Sequence, residues 1–391
     1  MRIAHIAPPW ISIPPKNYGG TENVIATLVG EQVAQGHTVT LFAPGDARTS
    51  ARQISFFSQS LFDNGVPWQA HPKAFYHIYK SVEYLQKHLR DFDILHTHLS
   101  SASDLYIFPL ASTLKLPHIT TLHSQFPFDR IEDEWQGDAD KYYIEWLSQV
   151  PMVAISKSAQ HQELEKFPLN FIDVVYHGID FKNCPPPAPA EDYFIWVGRI
   201  VPEKGLDLAI KAAKQAEVPL VIAGIVDLNI PEAQRYFQEE IEPEIDGQRI
   251  RYVGPVNSQE RNYYMRRARG MLNPLQWEEP FGMVMLEAMA VGCPVIAFRR
   301  GAAEELIEQG KTGFLVEDIS EMVRRIPDID QIDRDMACKY VEERFSASVM
   351  AKNYTRVYKE VIKGSMPIAP YPLVHYPTAE NQKDATGAGK R

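Results

Sequence analysis

The stretch Cys184-Pro185-Pro186-Pro187-Ala188-Pro189-Ala190 carries four prolines in seven residues, cannot enter a helix or a sheet, and divides the chain in two. On each side of it one pattern runs: a short continuous apolar segment, a loop, then a helical period. Apolar runs of this kind, separated by helices, specify strands buried on both faces of a parallel sheet. Before the linker they fall at Ile3–Ala7, Thr38–Ala43, Ile94–Thr97, His118–Leu122, Met152–Ile155 and Asp173–Tyr176. After it they fall at Tyr193–Val197, Leu220–Ala223, Ile250–Val253, Met271–Asn273, Pro294–Ala297 and Phe314–Val316. The expected fold is therefore α/β, with two doubly wound, Rossmann-like domains facing a central cleft, over residues 1–182 and 183–345. A chain of 391 residues is long enough for two cores of roughly 150–200 residues. An amphipathic helix carrying Val349, Tyr354, Val357, Tyr358 and Val361 is expected within 346–364, and the tail 365–391 reads as disordered.

The formal net charge of −10 argues against nucleic acid as the main partner, since phosphate backbones require a Lys/Arg excess. Cys184, Cys293 and Cys338 are odd in number and far apart, which fits neither a disulfide framework nor zinc-ligand spacing. They read as reduced thiols of a cytoplasmic protein. Met1 leads directly into an apolar strand with no cleavage site, and no run approaches the roughly 20 apolar residues of a membrane span. Any membrane contact would then be peripheral, at the inner face. Phe56-Phe57, Leu61-Phe62, Pro67-Trp68 and Phe126-Pro127-Phe128 serve equally as such a patch, as core, or as walls of an acceptor cleft.

The most informative segment is Pro274 to Ala290. An apolar strand end leads through Trp277-Glu278-Glu279-Pro280-Phe281-Gly282 into a helix whose first N–H groups are free to bind an anion. Glu279 precedes the helix and Glu287 lies inside it, with seven residues between them. Alone, the pair reads as a favourable helix-dipole charge and a solvated side chain. The Trp-Pro-Phe-Gly setting reverses that, because carboxylates beside an anion site suit a polyhydroxylated ligand. A second segment, Gly198-Arg199-Ile200-Val201-Pro202-Glu203-Lys204-Gly205, sets two cations five residues apart on a glycine-relaxed loop, an arrangement that neutralises a diphosphate. Gly19-Gly20 lets backbone approach a ligand closely and reads equally as a tight turn.

Together these residues resemble retaining glycosyltransferase family 4, which has the two-domain GT-B fold and acts on nucleotide sugars. The resemblance also takes in Asp93-Ile94-Leu95-His96-Thr97-His98, Thr121-Leu122-His123, Ala154-Ile155-Ser156-Lys157, Tyr176-His177-Gly178, Ala223-Gly224 and Gly301-Ala302-Ala303-Glu304. It implies that Arg199 and Lys204 hold the donor diphosphate. Glu279 would read donor-sugar hydroxyls, helped by the N–H groups of Phe281, Gly282 and Met283, with Val284 beside them, and Glu287 would read the ribose. Gly19 and Gly20 would approach the distal phosphate and His123 the sugar, with the nucleobase near Val253 and Val256. His96, His98 and Ser156 would lie on the acceptor side. His177 stands where the family often has Asn, and Arg300 where it often has Gly.

The activity implied is transfer of a hexose, favouring a UDP-sugar donor, to the hydroxyl of a small-molecule, glycan or lipid-linked acceptor, with retention and with no metal or other cofactor. The acidic composition favours a soluble acceptor. Asp91-Phe92-Asp93 matches a metal-binding signature of some transferases but precedes its strand, at the wrong edge of a parallel sheet for a ligand. His96, His98 and His123 converge at strand ends without an obvious carboxylate to complete a zinc set. A nucleotide-sugar epimerase of the same fold and a non-catalytic sugar-nucleotide-binding module are the competing readings. A phosphorylase would need a pyridoxal-phosphate lysine, for which no signature is apparent.

Overall fold

A computed structural model describes residues 1–16, 19–111, 113–124, 148, 150–166, 168–226 and 230–364. The expected tail, Tyr18 and the Phe126-Pro127-Phe128 patch fall outside them. Among the described residues the first domain carries seven strands: β1 (Arg2–Ile6), β2 (Thr38–Phe42), β3 (Arg52–Ile54), β4 (Ile94–Leu99), β5 (His118–Leu122), β6 (Met152–Ala154) and β7 (Phe171–Val174). They form one parallel sheet in the order β3-β2-β1-β4-β5-β6-β7. Its helices are α1 (Gly20–Ala34), α2 (His71–Lys87), α3 (Ile107–Ala111) and α4 (Lys157–Lys166).

The second domain repeats the plan. Strands β8 (Phe194–Arg199), β9 (Leu220–Ile225), β10 (Ile250–Gly254), β11 (Gly270–Asn273), β12 (Val295–Phe298) and β13 (Gly313–Val316) pair in parallel, in the order β10-β9-β8-β11-β12-β13. Its helices are α5 (Leu206–Gln215), α6 (Pro231–Tyr236), α7 (Ser258–Arg267), α8 (Met283–Ala290), α9 (Ala303–Leu306), α10 (Ile319–Arg325), α11 (Arg334–Phe345) and α12 (Ala347–Ile362). Two doubly wound sheets of this kind make a GT-B fold. In each, strand order reverses at one place, between β1 and β4 and between β8 and β11. Loops leaving the carboxyl ends of those strands diverge there and leave a crevice for ligand.

The chain passes between domains twice, and the two passages are tied together. The N–H of Ile179 donates to Phe345 O (2.8 Å) and the N–H of Ala347 donates to Ile179 O (2.8 Å). A Cβ on Gly178 would stand 2.7 Å from the carbonyl oxygen of Ser346, so no larger residue fits that crossing. Beyond it, α12 returns to the first domain. Its Met350, Ala351, Tyr354, Val357, Tyr358 and Val361 are buried against Ile3, Val24, Ile25 and Leu28. Full burial of a large apolar side chain contributes about 1.5–3 kcal/mol, so the helix is held by its apolar face far more than by propensity.

Candidate active site

The loops at the second reversal point carry the residues singled out from sequence. Arg199 ends β8, and Gly205 adopts φ +67° behind the short turn Pro202–Lys204. A Cβ there would meet the carbonyl oxygen of Pro274 at 2.0 Å, so glycine is what lets the β8 loop press against the β11 loop. Gln276 completes the latch: its N–H donates to Glu203 O and its side-chain amide to Pro202 O, both at 2.9 Å.

This brings Lys204 and Glu279 into an ion pair, with both side chains mostly buried. Trp277 adds to it from below. The Lys204 ammonium sits 4.7 Å from its ring centroid, and its indole N–H donates to Glu279 Oε2 at 3.1 Å. Glu279 is thereby fixed, and Lys204 is a cation held at the loop edge. Next along, Gly282 takes φ +92° and opens α8 with no side-chain cap, leaving the first N–H groups of the helix for a ligand. Gly301 has φ +55°, and a Cβ on it would lie 2.3 Å from Glu279 O. The Ala302 N–H donates to that oxygen at 2.9 Å. Phe281 is buried in the core of the second domain, while Met283 touches the cores of both.

Glu287 is held by a partner that the sequence did not announce. Arg261, on α7, donates to Glu287 Oε1 at 2.9 Å. Burial pushes the Glu287 carboxyl above its usual range, and the Arg261 charge opposes that shift. Val253 packs against the core of the second domain, and Val256 is half-buried just past β10.

Across the domain boundary, Gly20 starts α1 at the carboxyl end of β1, and a Cβ on it would meet nothing within 4 Å. Behind it a Cβ on Gly19 would strike Glu22 and Pro15 at 2.8 Å. His123 follows β5, stacks on His177 with centroids 5.1 Å apart, and His177 stands edge-on to Phe281 at 4.8 Å. His177 thereby links His123 to the segment that leads into α8.

The three residues expected on the acceptor side are all buried and hydrogen-bonded within the protein. His96 is fully buried, with Nδ1 2.7 Å from the Tyr358 hydroxyl and Nε2 2.7 Å from Thr121 Oγ1. His98 is buried between His5 and His123, at 3.1 and 3.0 Å. Ser156 is buried and donates to Pro280 O at 2.6 Å, which makes it a tie between domains. Glu305 makes a second tie, accepting from the N–H groups of Lys157 (2.9 Å) and Ser158 (2.7 Å) and from the Tyr176 hydroxyl (2.6 Å).

Of the metal-like signatures, Asp93 lies at the amino edge of the first sheet and accepts from Arg2 N (2.7 Å), Nε (3.1 Å) and Nη2 (2.5 Å). His5, His96 and His98 offer nitrogens within 4.8 Å of one another. Every one of those six nitrogens already has a hydrogen-bond partner, so a cation would have to displace a satisfied network.

Residues 18–183 match the family described as Glycosyltransferase Family 4, and residues 182–329 match Glycosyl transferases group 1. With the fold, these matches make the chain a glycosyltransferase of the GT-B type. Its similarity to individual proteins is distant but extends over most of its length. It is 25% identical over 367 residues to an uncharacterized 41.2 kDa protein in the cps region of Klebsiella pneumoniae, covering 87% of this chain and 96% of that one. It is 24% identical over 391 residues to the phosphatidyl-myo-inositol mannosyltransferase of Mycobacterium leprae, covering 92% and 97%. Among solved structures it shares its fold with a sucrose-phosphate synthase from Thermosynechococcus elongatus (TM-score 0.73, 19% identity, 93% and 100% covered). The Anabaena protein HepE, solved with UDP and glucose, aligns with TM-score 0.67 at 17% identity, covering 92% and 100%.

Proposed function

We propose that this glycosyltransferase moves a hexose from a nucleoside-diphosphate sugar, with UDP-sugar the favoured donor, to an acceptor hydroxyl, retaining the anomeric configuration and using no metal. The observation that carries this reading is the assembly of Lys204, Trp277 and Glu279 beside the uncapped opening of α8, with Arg199 at the end of the neighbouring strand.

In this reading the diphosphate lies between Arg199, Lys204 and the N–H groups of Gly282 and Met283. These charges and dipoles are set in place before reaction, so they stabilise the negative charge that develops on the departing diphosphate. Cations fixed by the protein supply the neutralisation that a metal ion supplies in other transferases. Glu279, locked by Trp277, reads sugar hydroxyls, and Glu287, held in place by Arg261, reads the ribose. Val253 and Val256 flank the base. The departing phosphate takes the acceptor's proton on the face it leaves, which yields retention. HepE, solved with UDP and glucose, supports a UDP-sugar, and the mycobacterial mannosyltransferases make a lipid-linked acceptor as open as a soluble glycan. No helix among the described residues is long and apolar enough to cross a membrane.

Lys204→Ala tests the assignment. It is expected to reduce transfer at least 100-fold with an unchanged circular dichroism spectrum, because one charged oxyanion donor is worth about 2.7–4 kcal/mol in the transition state. Wild-type-like turnover would remove Lys204 from the site, and epimerised free donor without transfer would make the chain an epimerase.

A further inference from the structure

Among the described residues of the first domain, Phe62, Trp68, Phe75, Tyr76, Tyr79 and Tyr106 are each 38–46% exposed. Single exposed apolar groups are ordinary, but six aromatic rings gathered about one helix make a patch. Trp68 just precedes α2 and packs with Phe62 over the buried Trp10. Ring centroids lie 4.7 Å apart from Trp10 to Trp68 and 5.4 Å from Phe62 to each of them. Phe75 and Tyr79 sit one turn apart on α2, 6.2 Å between centroids, and Phe75 stands edge-on to Tyr106 at 5.3 Å. Trp10 joins the two groups. Its indole N–H donates at 3.0 Å to Ser103 Oγ, in the short helix Ala102–Tyr106, and it shares a small core with Ala74 of α2. Both helices follow carboxyl ends of strands, β3 and β4, so the patch begins at the rim of the first-domain crevice and runs down its outer flank.

Charge decides what such a face takes. Residues 55–110 hold four Lys or Arg and five Asp or Glu. Lys80 and Lys87 both pair with Glu83, and Lys16 pairs with Asp63. An anionic lipid surface is held by a basic excess beside the apolar groups, and this segment has none. The six side chains include no aliphatic one to insert among acyl chains, and three are tyrosines whose hydroxyls can meet a hydroxylated ligand. A neutral sugar chain matches both features. The C–H faces of its rings lie on the negative faces of the aromatic rings, and its hydroxyls stay in contact with tyrosines and water. The step from Phe75 to Tyr79 is comparable to the length of one pyranose unit. We infer that this face holds a neutral oligosaccharide, namely the length of an acceptor glycan that lies beyond the sugar that reacts. That the bound chain is the acceptor rests on the transferase reading given above; that the face binds a sugar chain does not.

The test is titration of the full chain with cellohexaose, maltohexaose and mannohexaose, followed by tryptophan fluorescence. At least one is expected to bind and to shift the emission, and Trp68→Ala is expected to lose the shift. Tyr79→Ala changes an exposed helix position to a good helix former, so its circular dichroism spectrum should match wild type. It is expected to weaken binding about two- to tenfold, the worth of one aromatic contact. Tyr79→Phe, which keeps the ring, should retain most of the affinity, and Phe75→Ala with Tyr79→Ala should lose more than either alone. Binding of no hexasaccharide, a shift that Trp68→Ala retains, or affinity unchanged in the double variant would overturn the proposal. So would binding to vesicles of phosphatidylglycerol and phosphatidylethanolamine that the double variant loses, which would make the face a membrane contact. A concentration-dependent dimer in sedimentation, lost in the same variant, would overturn it as a self-association face. No nucleotide sugar is present in these titrations, so they decide the sugar-binding face even if no donor is turned over.

Discussion

Gly20 is the residue at which conformation and chemistry separate most cleanly. It opens α1 with no side-chain cap, and a methyl group added to it would touch no protein atom. Gly20→Ala is therefore expected to melt within about 1 kcal/mol of wild type, while blocking the approach of a phosphate to the backbone. The checks are a thermal unfolding curve beside donor kinetics, where kcat/KM should fall at least tenfold. Equal loss of stability and activity would mean that the glycine serves the fold. Gly20, Lys204, Glu279 and Glu287 stand out in the sequence because their types and spacings are unusual in their local setting. It could not make Arg261 legible, because an arginine on a polar helix looks like any solvated cation until α7 is packed beside α8. The histidines were visible, but their mutual contacts were not. His5 pairs in register with His96, and a spacing of two puts His98 on the same face, so the strand order and not the motif decides that they face each other.

At the scale of elements, α4 shows how one domain fixes the other. Its first N–H groups are capped by Glu305, which comes from α9 of the second domain and also receives the Tyr176 hydroxyl. A carboxylate at a helix N-terminus gains from both the hydrogen bonds and the dipole. Glu305→Ala is expected to cost about 1–3 kcal/mol in urea unfolding and to uncouple the melting of the two domains. A single transition at the wild-type midpoint would show that Ser156 and the paired crossings suffice. Twelve of the thirteen strands among the described residues could be read from apolar runs, to within a few residues at each end. The exception, β3, is only Arg52–Ile54, an edge strand whose one apolar residue carries no period. Its existence depends on β2 offering a free edge, which local sequence does not encode.

The whole molecule should be sensitive to acid in a definite direction. His5, His77, His96, His98, His118, His123 and His177 are buried, and burial lowers each of them, to about 4 for His5, His77 and His118. In the unfolded chain each titrates near 6.5, so below that pH the unfolded state binds more protons than the folded state. Stability is present above pH 6.5 and is lost as pH falls toward 4, by about 1.4 kcal/mol per pH unit for each histidine. Glu22, Asp104 and Glu287 act oppositely. Burial raises Glu22 to about 7 and Asp104 to about 6 and also raises Glu287, so the folded state takes up their protons first and gains stability as pH falls. Seven groups outweigh three. Urea unfolding at pH 7.5, 6.5 and 5.5 should show a falling midpoint, and a flat or rising series would mean that the histidines are solvated.

The central claim is that the Lys204–Glu279 loop and the α8 opening form a nucleotide-sugar site. Its most direct measurement is a screen of UDP-, GDP- and ADP-hexoses incubated with the protein without acceptor, following release of free nucleoside diphosphate, with Lys204→Ala in parallel. The account predicts slow release from a UDP-hexose, independent of added divalent metal and absent in the variant. Release from none of the donors, together with no binding of any nucleoside diphosphate by calorimetry, would contradict it.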